Sequence, residues 1–126
     1  MHITLLKLAL LTALSCIAQP TLAKTVAKNG AHGAIALQRD SGQFGYVSNA
    51  TTARAAKIEA LNQCGDPHCE VVVSFSRACG GLARNPARGP KGYFQATGAT
   101  RQEAETKALR LCGSKECEVL AWACTK

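Results

Sequence analysis

From residue 33 onward, the apolar positions come in short runs and helical stripes, and the same order recurs. Gly33-Ala34-Ile35-Ala36-Leu37 reads as a short strand, and Phe44–Ser48, after a Gly-containing turn, reads as a second. The spacing then becomes helical, with Ala53, Ala56, Ala60, Leu61 and Cys64 on one face. Gly65 offers the left-handed stop that ends a helix. A buried strand follows, Glu70-Val71-Val72-Val73-Ser74-Phe75. The series then restarts. Gly81-Leu82-Ala83 and Tyr93–Thr97 are strands, and Ala104, Ala108, Leu111 and Cys112 mark the buried face of a second helix. Gly113 stops that helix and Glu118–Ala123 closes the series. Thr100-Arg101-Gln102-Glu103 is a capping box for the second helix, and Lys107 and Arg110 lie towards its end, where cations suit the dipole.

A shift of 48 residues superimposes the two series. Gly33 falls on Gly81, Thr52 on Thr100, Ala56 on Ala104, Ala60 on Ala108 and Leu61 on Leu109. Cys64, Gly65, Cys69, Glu70 and Val71 fall on Cys112, Gly113, Cys117, Glu118 and Val119. Two copies make one compact domain and not a solenoid, which needs about three. The predicted fold is α+β: two strand–strand–helix–strand repeats, 33–80 and 81–126, combine their strands and cover them with two helices. Residues 24–32 carry no periodicity and read as an N-terminal arm.

Residues 1–23 read as a secretory signal peptide. Lys7 precedes an apolar run from Leu8 to Ala18, and Thr21-Leu22-Ala23 offers a small-residue cut. A membrane span needs about 20 apolar residues, and Pro20 and Lys24 arrive too soon. Cys16 lacks the leucine three residues upstream that a lipidation site places there. The chain has 15 Lys+Arg against 8 Asp+Glu, and loss of Lys7 leaves a mature domain still strongly basic. Aromatics are 5% of the chain, too few for a stacking platform on single-stranded nucleic acid. The expected location is the periplasm or the extracellular space.

Export leaves six of the seven cysteines, an even number that suits a disulfide framework. Cys64-Gly-Asp-Pro-His-Cys69, taken alone, could be half a zinc site with His68. The matching Cys112-Gly-Ser-Lys-Glu-Cys117 keeps both cysteines and loses the histidine. A ligand set needs its ligands and a disulfide needs only its cysteines, so the repeat favours the pairs Cys64–Cys69 and Cys112–Cys117. Cys79 and Cys124 remain to pair with each other, a bridge expected to tie copy one to copy two.

Gly45-Tyr46, Thr100-Arg101-Gln102-Glu103-Ala104, Cys64-Gly65, Cys69-Glu70-Val71-Val72-Val73 and Ala78-Cys79-Gly80-Gly81-Leu82-Ala83 together resemble the bacterial domain of unknown function family 4189. The resemblance covers roughly residues 31–126. It implies a small secreted, disulfide-stabilised bacterial domain, some members being effectors delivered to host cells and none an established enzyme. Where that family often has aromatics, this chain has His32 and Ser74.

No nucleophile stands clearly beside His68 and Asp66, which share one short loop, and no cofactor motif is present: Gly80-Gly81 lacks the flanking Lys and Ser/Thr of a phosphate loop. Glu70 and Glu118 could be paired carboxylates, but each reads better as a surface strand start. Asn49-Ala50-Thr51 is a formal glycosylation sequon. The distinctive charge feature is RACGGLARNPARGPK, residues 77–91, which holds Arg77, Arg84, Arg88 and Lys91 and no acid. It reads either as a solvated linker or as a contact surface for an anionic partner. The expected function is therefore a non-enzymatic binding or effector module that meets an envelope polyanion or an acidic host protein. The alternative is an inhibitor or immunity protein against a cell-wall-acting enzyme, which is weakened because many such enzymes are themselves basic. Oligomeric state is not legible.

Overall fold

In the computed structural model, the structure describes residues 30–125. The chain runs β1 (His32–Leu37), β2 (Phe44–Ala50), α1 (Ala53–Cys64), β3 (Glu70–Ser76), β4 (Cys79–Arg84), a 3₁₀ segment (Pro86–Lys91), β5 (Tyr93–Gly98), α2 (Arg101–Cys112) and β6 (Glu118–Cys124). The repeated strand–strand–helix–strand order of the sequence is therefore the order of the fold.

The two helices begin and end alike because the sequence repeats at their ends. Thr52 and Thr100 cap them, each side-chain oxygen accepting from the backbone N–H three residues on. Gly65 and Gly113 sit at φ 74° and 72° and close the helices in the left-handed conformation. Glu103 completes the box one residue earlier than expected, accepting from the N–H of Ala99 at 3.1 Å. Lys107 stands 2.8 Å from Glu103, and these two contacts, with the lysine the larger, hold the Glu103 carboxyl below the usual carboxylate range. Lys107 therefore pairs along the helix, while Arg110 alone of the two lies in the last turn.

The six strands form two antiparallel three-stranded sheets, β2-β1-β3 and β5-β4-β6. They stack face to face through Ile35, Leu37, Val73 and Phe75 of the first sheet and Leu82, Tyr93, Ala121 and Ala123 of the second. Each helix covers the outer face of its own sheet. Ala56, Ala60 and Cys64 of α1 pack on Ala34, Ala36 and Val47, and Ala108 and Cys112 of α2 pack on Ala83. The result is four layers: helix, sheet, sheet, helix. Small residues at the helix–sheet contacts let these layers approach closely. The expected helical stripe needs two corrections. Ala53 is exposed and Leu111 is 60% exposed, because the seam on each sheet is only as wide as the line of Ala, Ala and Cys at every fourth residue.

Strand pairing shows where the duplication has drifted. Leu37 lies opposite Glu70 and Arg84 opposite Glu118, so β4 follows β1 by 47 residues while β6 follows β3 by 48. Phe44 lies opposite Leu37 and Tyr93 opposite Arg84, so β5 follows β2 by 49. Gly33 is thus the counterpart of Gly80 and not of Gly81. Both face the ring of Phe75: a Cβ at Gly33 or at Gly80 would stand 2.4 Å or 2.6 Å from ring carbons. Gly81 instead faces α2, where a Cβ would stand 3.0 Å from Ala104. One extra residue in β2, by Asn49 at φ 61°, brings the series back to 48. A bulge at Val72 recurs at Leu120, its match at 48 residues.

The cysteines pair as Cys64–Cys69, Cys112–Cys117 and Cys79–Cys124. The first two clip a helix end to the start of the following strand. The third does not tie copy one to copy two. Cys79 opens β4 and lies directly opposite Cys124 in β6, so the bridge staples two neighbouring strands of the second sheet. The second unit starts at Cys79, and its staple occupies the position that His32 and Ser76 hold in the first unit. Among the described residues, no helix is long and apolar enough to cross a membrane. Three disulfides are the usage of a protein that matures outside the reducing cytoplasm. The signal sequence expected at 1–23 lies outside the described residues.

Candidate functional site

The four cations of segment 77–91 do not form one patch. Arg77 sits in the β3–β4 turn at φ 48°, its N–H donating to the Ala31 carbonyl at 2.8 Å. Arg84, Arg88 and Lys91 lie beyond the other end of β4, about 20 Å away along an extended strand. Arg84 is also spoken for. Its Nη2 stands 2.6 Å from Glu118 Oε1 and its Nε 3.2 Å from the same oxygen. The Glu118 carboxylate raises the Arg84 pKa above its ordinary value.

Arg88 and Lys91 remain, and the chain holds them on a built platform. Asn85 is buried and does the joining. Its N–H donates to the Gly92 carbonyl at 2.7 Å, and its side-chain oxygen accepts from Ala87 N–H at 3.0 Å. Arg88 N–H returns to the Asn85 carbonyl at 3.1 Å, and Gly92 N–H to the Gly89 carbonyl at 3.0 Å. Pro86 and Pro90 fix two further φ angles, and Gly89 at φ 54° makes the kink between them. The Arg88 guanidinium lies 5.5 Å from the Phe94 ring centroid, close enough for the ring to attract the cation. Lys91 makes no ion pair among the described residues. The stretch predicted as a loop is thus a short 3₁₀ element that presents two cations. The sequence reading overlooked Asn85 and Phe94; the Asn-Pro dipeptide was the available signal for the first.

Glu118, Glu70 and Asp66 at this end are each engaged within the fold, while the Asp40 and Glu116 side chains are exposed. Glu118 serves Arg84, and Glu70 serves Arg39 at the matching place in the first unit. Glu70 and Glu118 therefore open strands of different sheets and each bonds its own arginine. Asp66 accepts the His68 N–H at 2.7 Å, and the His68 Nδ1 stands 3.3 Å from the same oxygen. The imidazole is exposed on the clipped loop, and the nearest cysteines, Cys64 and Cys69, are consumed in their disulfide. Among the described residues no three His, Cys, Asp or Glu side chains converge as a metal site would need.

Known proteins share this architecture. The pattern of the domain of unknown function DUF4189 matches residues 32–124. Three relatives are 40% identical over 73 residues: the uncharacterized proteins Rv1813c and MT1861 of two Mycobacterium tuberculosis strains and Mb1843c of Mycobacterium bovis. The match takes 58% of this chain and 47% of each relative, so the chain spans about half the length of the relatives it matches. The NMR structure of Rv1813c from Mycobacterium tuberculosis is similar with a TM-score of 0.58 and 34% identity, over 75% of each chain.

Proposed function

The chain belongs to the DUF4189 family, and from that premise we propose that it is an exported, non-enzymatic binding module that engages an anionic partner through the 3₁₀ platform. The observation that carries this reading is the pair Arg88 and Lys91. Both are exposed and held by a hydrogen-bonded turn, with the nearby Glu118 already neutralised by Arg84. Ordering the backbone beforehand removes part of the entropy that a mobile basic loop would lose on binding. The partner is an envelope polyanion or an acidic host protein, and the protein acts in the periplasm or outside the cell after loss of its leader. Arg84 contributes by consuming Glu118, and Arg77 lies too far away to share the contact.

The test is capture of partners by the oxidised exported protein from envelope fractions and from host-cell lysate, comparing wild type with Arg88→Glu/Lys91→Glu. Both sites are surface positions, so the fold should hold within about 0.5 kcal/mol per site. The expected result is loss of the partner by the variant, and release of the wild-type complex by salt, because exposed charges are screened within about 8 Å at physiological ionic strength. Equal, salt-insensitive capture by both proteins would refute the role of the platform.

A further inference from the structure

We propose that the partner of the basic platform is an anionic lipid surface, which the 3₁₀ segment and the last turn of α2 meet together and into which Leu111 inserts. The inference rests on the platform reading above and names the class of its partner. Phe94 links the two elements. The Arg88 guanidinium lies by its ring, and Phe94 packs with Ala108 and Cys112 of α2. Arg110 and Leu111 lie between those two helix residues, and Leu111, three positions after Ala108, is its neighbour on the helix surface. Lys115 follows in the loop that the Cys112–Cys117 clip closes. This end of the second unit thus gathers Arg88, Lys91, Arg110 and Lys115, all exposed. None of them makes an ion pair among the described residues. The acid of the same loop, Glu116, offsets only part of that charge.

Charge alone would serve any polyanion, and Leu111 makes the selection. It is 60% exposed, because Ala108 and Cys112 already fill the seam on the sheet. A leucine set among unpaired cations suits an anionic bilayer. The cations meet the headgroups while the apolar side chain enters the boundary with the acyl chains. A hydrated soluble polyanion offers the leucine nothing to enter. Lipid contact explains both features at once: the charges draw the surface in, and the leucine leaves water.

The duplication separates these features from the needs of the scaffold. α1 has no basic residue in its last turn. At the 48-residue match, Asn62, Gln63 and Pro67 stand where α2 and its loop have Arg110, Leu111 and Lys115. The first unit keeps the same cap, stop and clip. It folds the same way without the leucine or the cations.

The probes are vesicles of phosphatidylglycerol and phosphatidylcholine in equal parts, vesicles of phosphatidylcholine alone, and soluble polyglutamate, each mixed with the oxidised exported protein. Sedimentation with the vesicles and retention by polyglutamate are the two readouts. The expected result is half-complete binding at about 1 mM anionic lipid, with none to phosphatidylcholine alone. Each cation at such a surface is worth about fivefold, so Arg88→Glu/Lys91→Glu should weaken vesicle binding about 30-fold or more. Leu111→Gln, which copies the first unit at an exposed site, should weaken vesicle binding about fivefold and leave polyglutamate retention unchanged. Arg54→Glu/Lys57→Glu makes an equal change of charge on exposed positions of α1. It should alter vesicle binding by less than about threefold, since screening confines each charge to about 8 Å. No binding to the anionic vesicles, equal binding to phosphatidylcholine alone, or vesicle binding untouched by Leu111→Gln would overturn the lipid partner. So would capture of an acidic protein that needs Leu111 in the absence of vesicle binding. Polyglutamate retention that still depends on Arg88 and Lys91 would then leave the platform reading standing. Arg88→Glu/Lys91→Glu without effect on either readout would remove both.

Discussion

Phe75 offers the most direct measurement of what holds the two sheets together. Its ring lies over both Gly33, its cross-strand neighbour, and Gly80 of the other sheet, and it is 6% exposed. A buried phenylalanine removes about 200 Å² from water, which at about 25 cal/mol per Å² corresponds to about 5 kcal/mol. Measured Phe-to-Ala losses of about 3–5 kcal/mol agree. A domain this size is stable by about 5–14 kcal/mol, so Phe75→Ala should remove a large fraction of its stability. Gly80→Ala probes the same contact from the other side. Its new Cβ would stand 2.6 Å from the ring and should cost about 1–3 kcal/mol as an overpacked site. In the Phe75→Ala background the obstacle is gone, and the methyl partly fills the space. Gly80→Ala should then be neutral or stabilising, a coupling of about 1–3 kcal/mol. Guanidinium unfolding followed by far-UV circular dichroism, with the disulfides kept oxidised, gives all four corners of the cycle. Effects that add within about 0.5 kcal/mol, or a Phe75→Ala loss below about 1 kcal/mol, would show that the ring does not bridge the sheets.

Further outcomes follow from other contacts. Cys79→Ser/Cys124→Ser opens a bridge with a sequence separation of 45 and should cost up to about 4 kcal/mol in the chain-entropy picture, against about 2 kcal/mol for Cys64→Ser/Cys69→Ser; chemical denaturation midpoints rank the two, and the reverse order would be inconsistent with loop closure as the cause. Ala108→Leu forces bulk into the α2 seam and should lower stability by about 1–3 kcal/mol, whereas Leu111→Lys on the exposed side of the same helix should stay within about 0.5 kcal/mol; thermal melts separate them. Lys107 and the Ala99 N–H hold the Glu103 carboxyl below its ordinary value. Its contribution is therefore whole above the unfolded value near about 4.3 and fades as the pH falls through the lower folded value. Glu103→Gln should flatten that part of the acid-unfolding curve, and an unchanged curve would remove Glu103 from the account.

The helices and the third strand of each unit were legible because their signals are local. The caps Thr52 and Thr100, the stops Gly65 and Gly113 and the cysteine clips all lie on or directly beside one helix, and all repeat at 48 residues. The first two strands were harder. Their true spacings are 47 and 49, which only hydrogen-bond register exposes. That shift led to Gly33 being matched with Gly81, and to Cys79 being placed in the first copy. Leu111 was misplaced because an apolar residue beside a buried cysteine looks like part of the seam until the width of the seam is known. The basic segment was legible as composition, but Arg77 and Arg84 were not separable from Arg88 and Lys91. A run of fifteen residues that includes a six-residue strand cannot keep its charges together.

Every disulfide among the described residues begins and ends within one unit. The covalent path from one half to the other is thus the single peptide turn at Arg77 and Ala78, between β3 and β4. A protease that nicks this turn leaves two separately cross-linked fragments, residues up to Arg77 and residues from Ala78. Among the described residues, the apolar interface between the sheets then decides whether they stay together, since the Thr125 and Ala78 contacts lie within the second fragment. The halves can accordingly be produced as separate polypeptides and tested for reassembly. The same arrangement permits exchange of halves between two chains whenever the turn straightens.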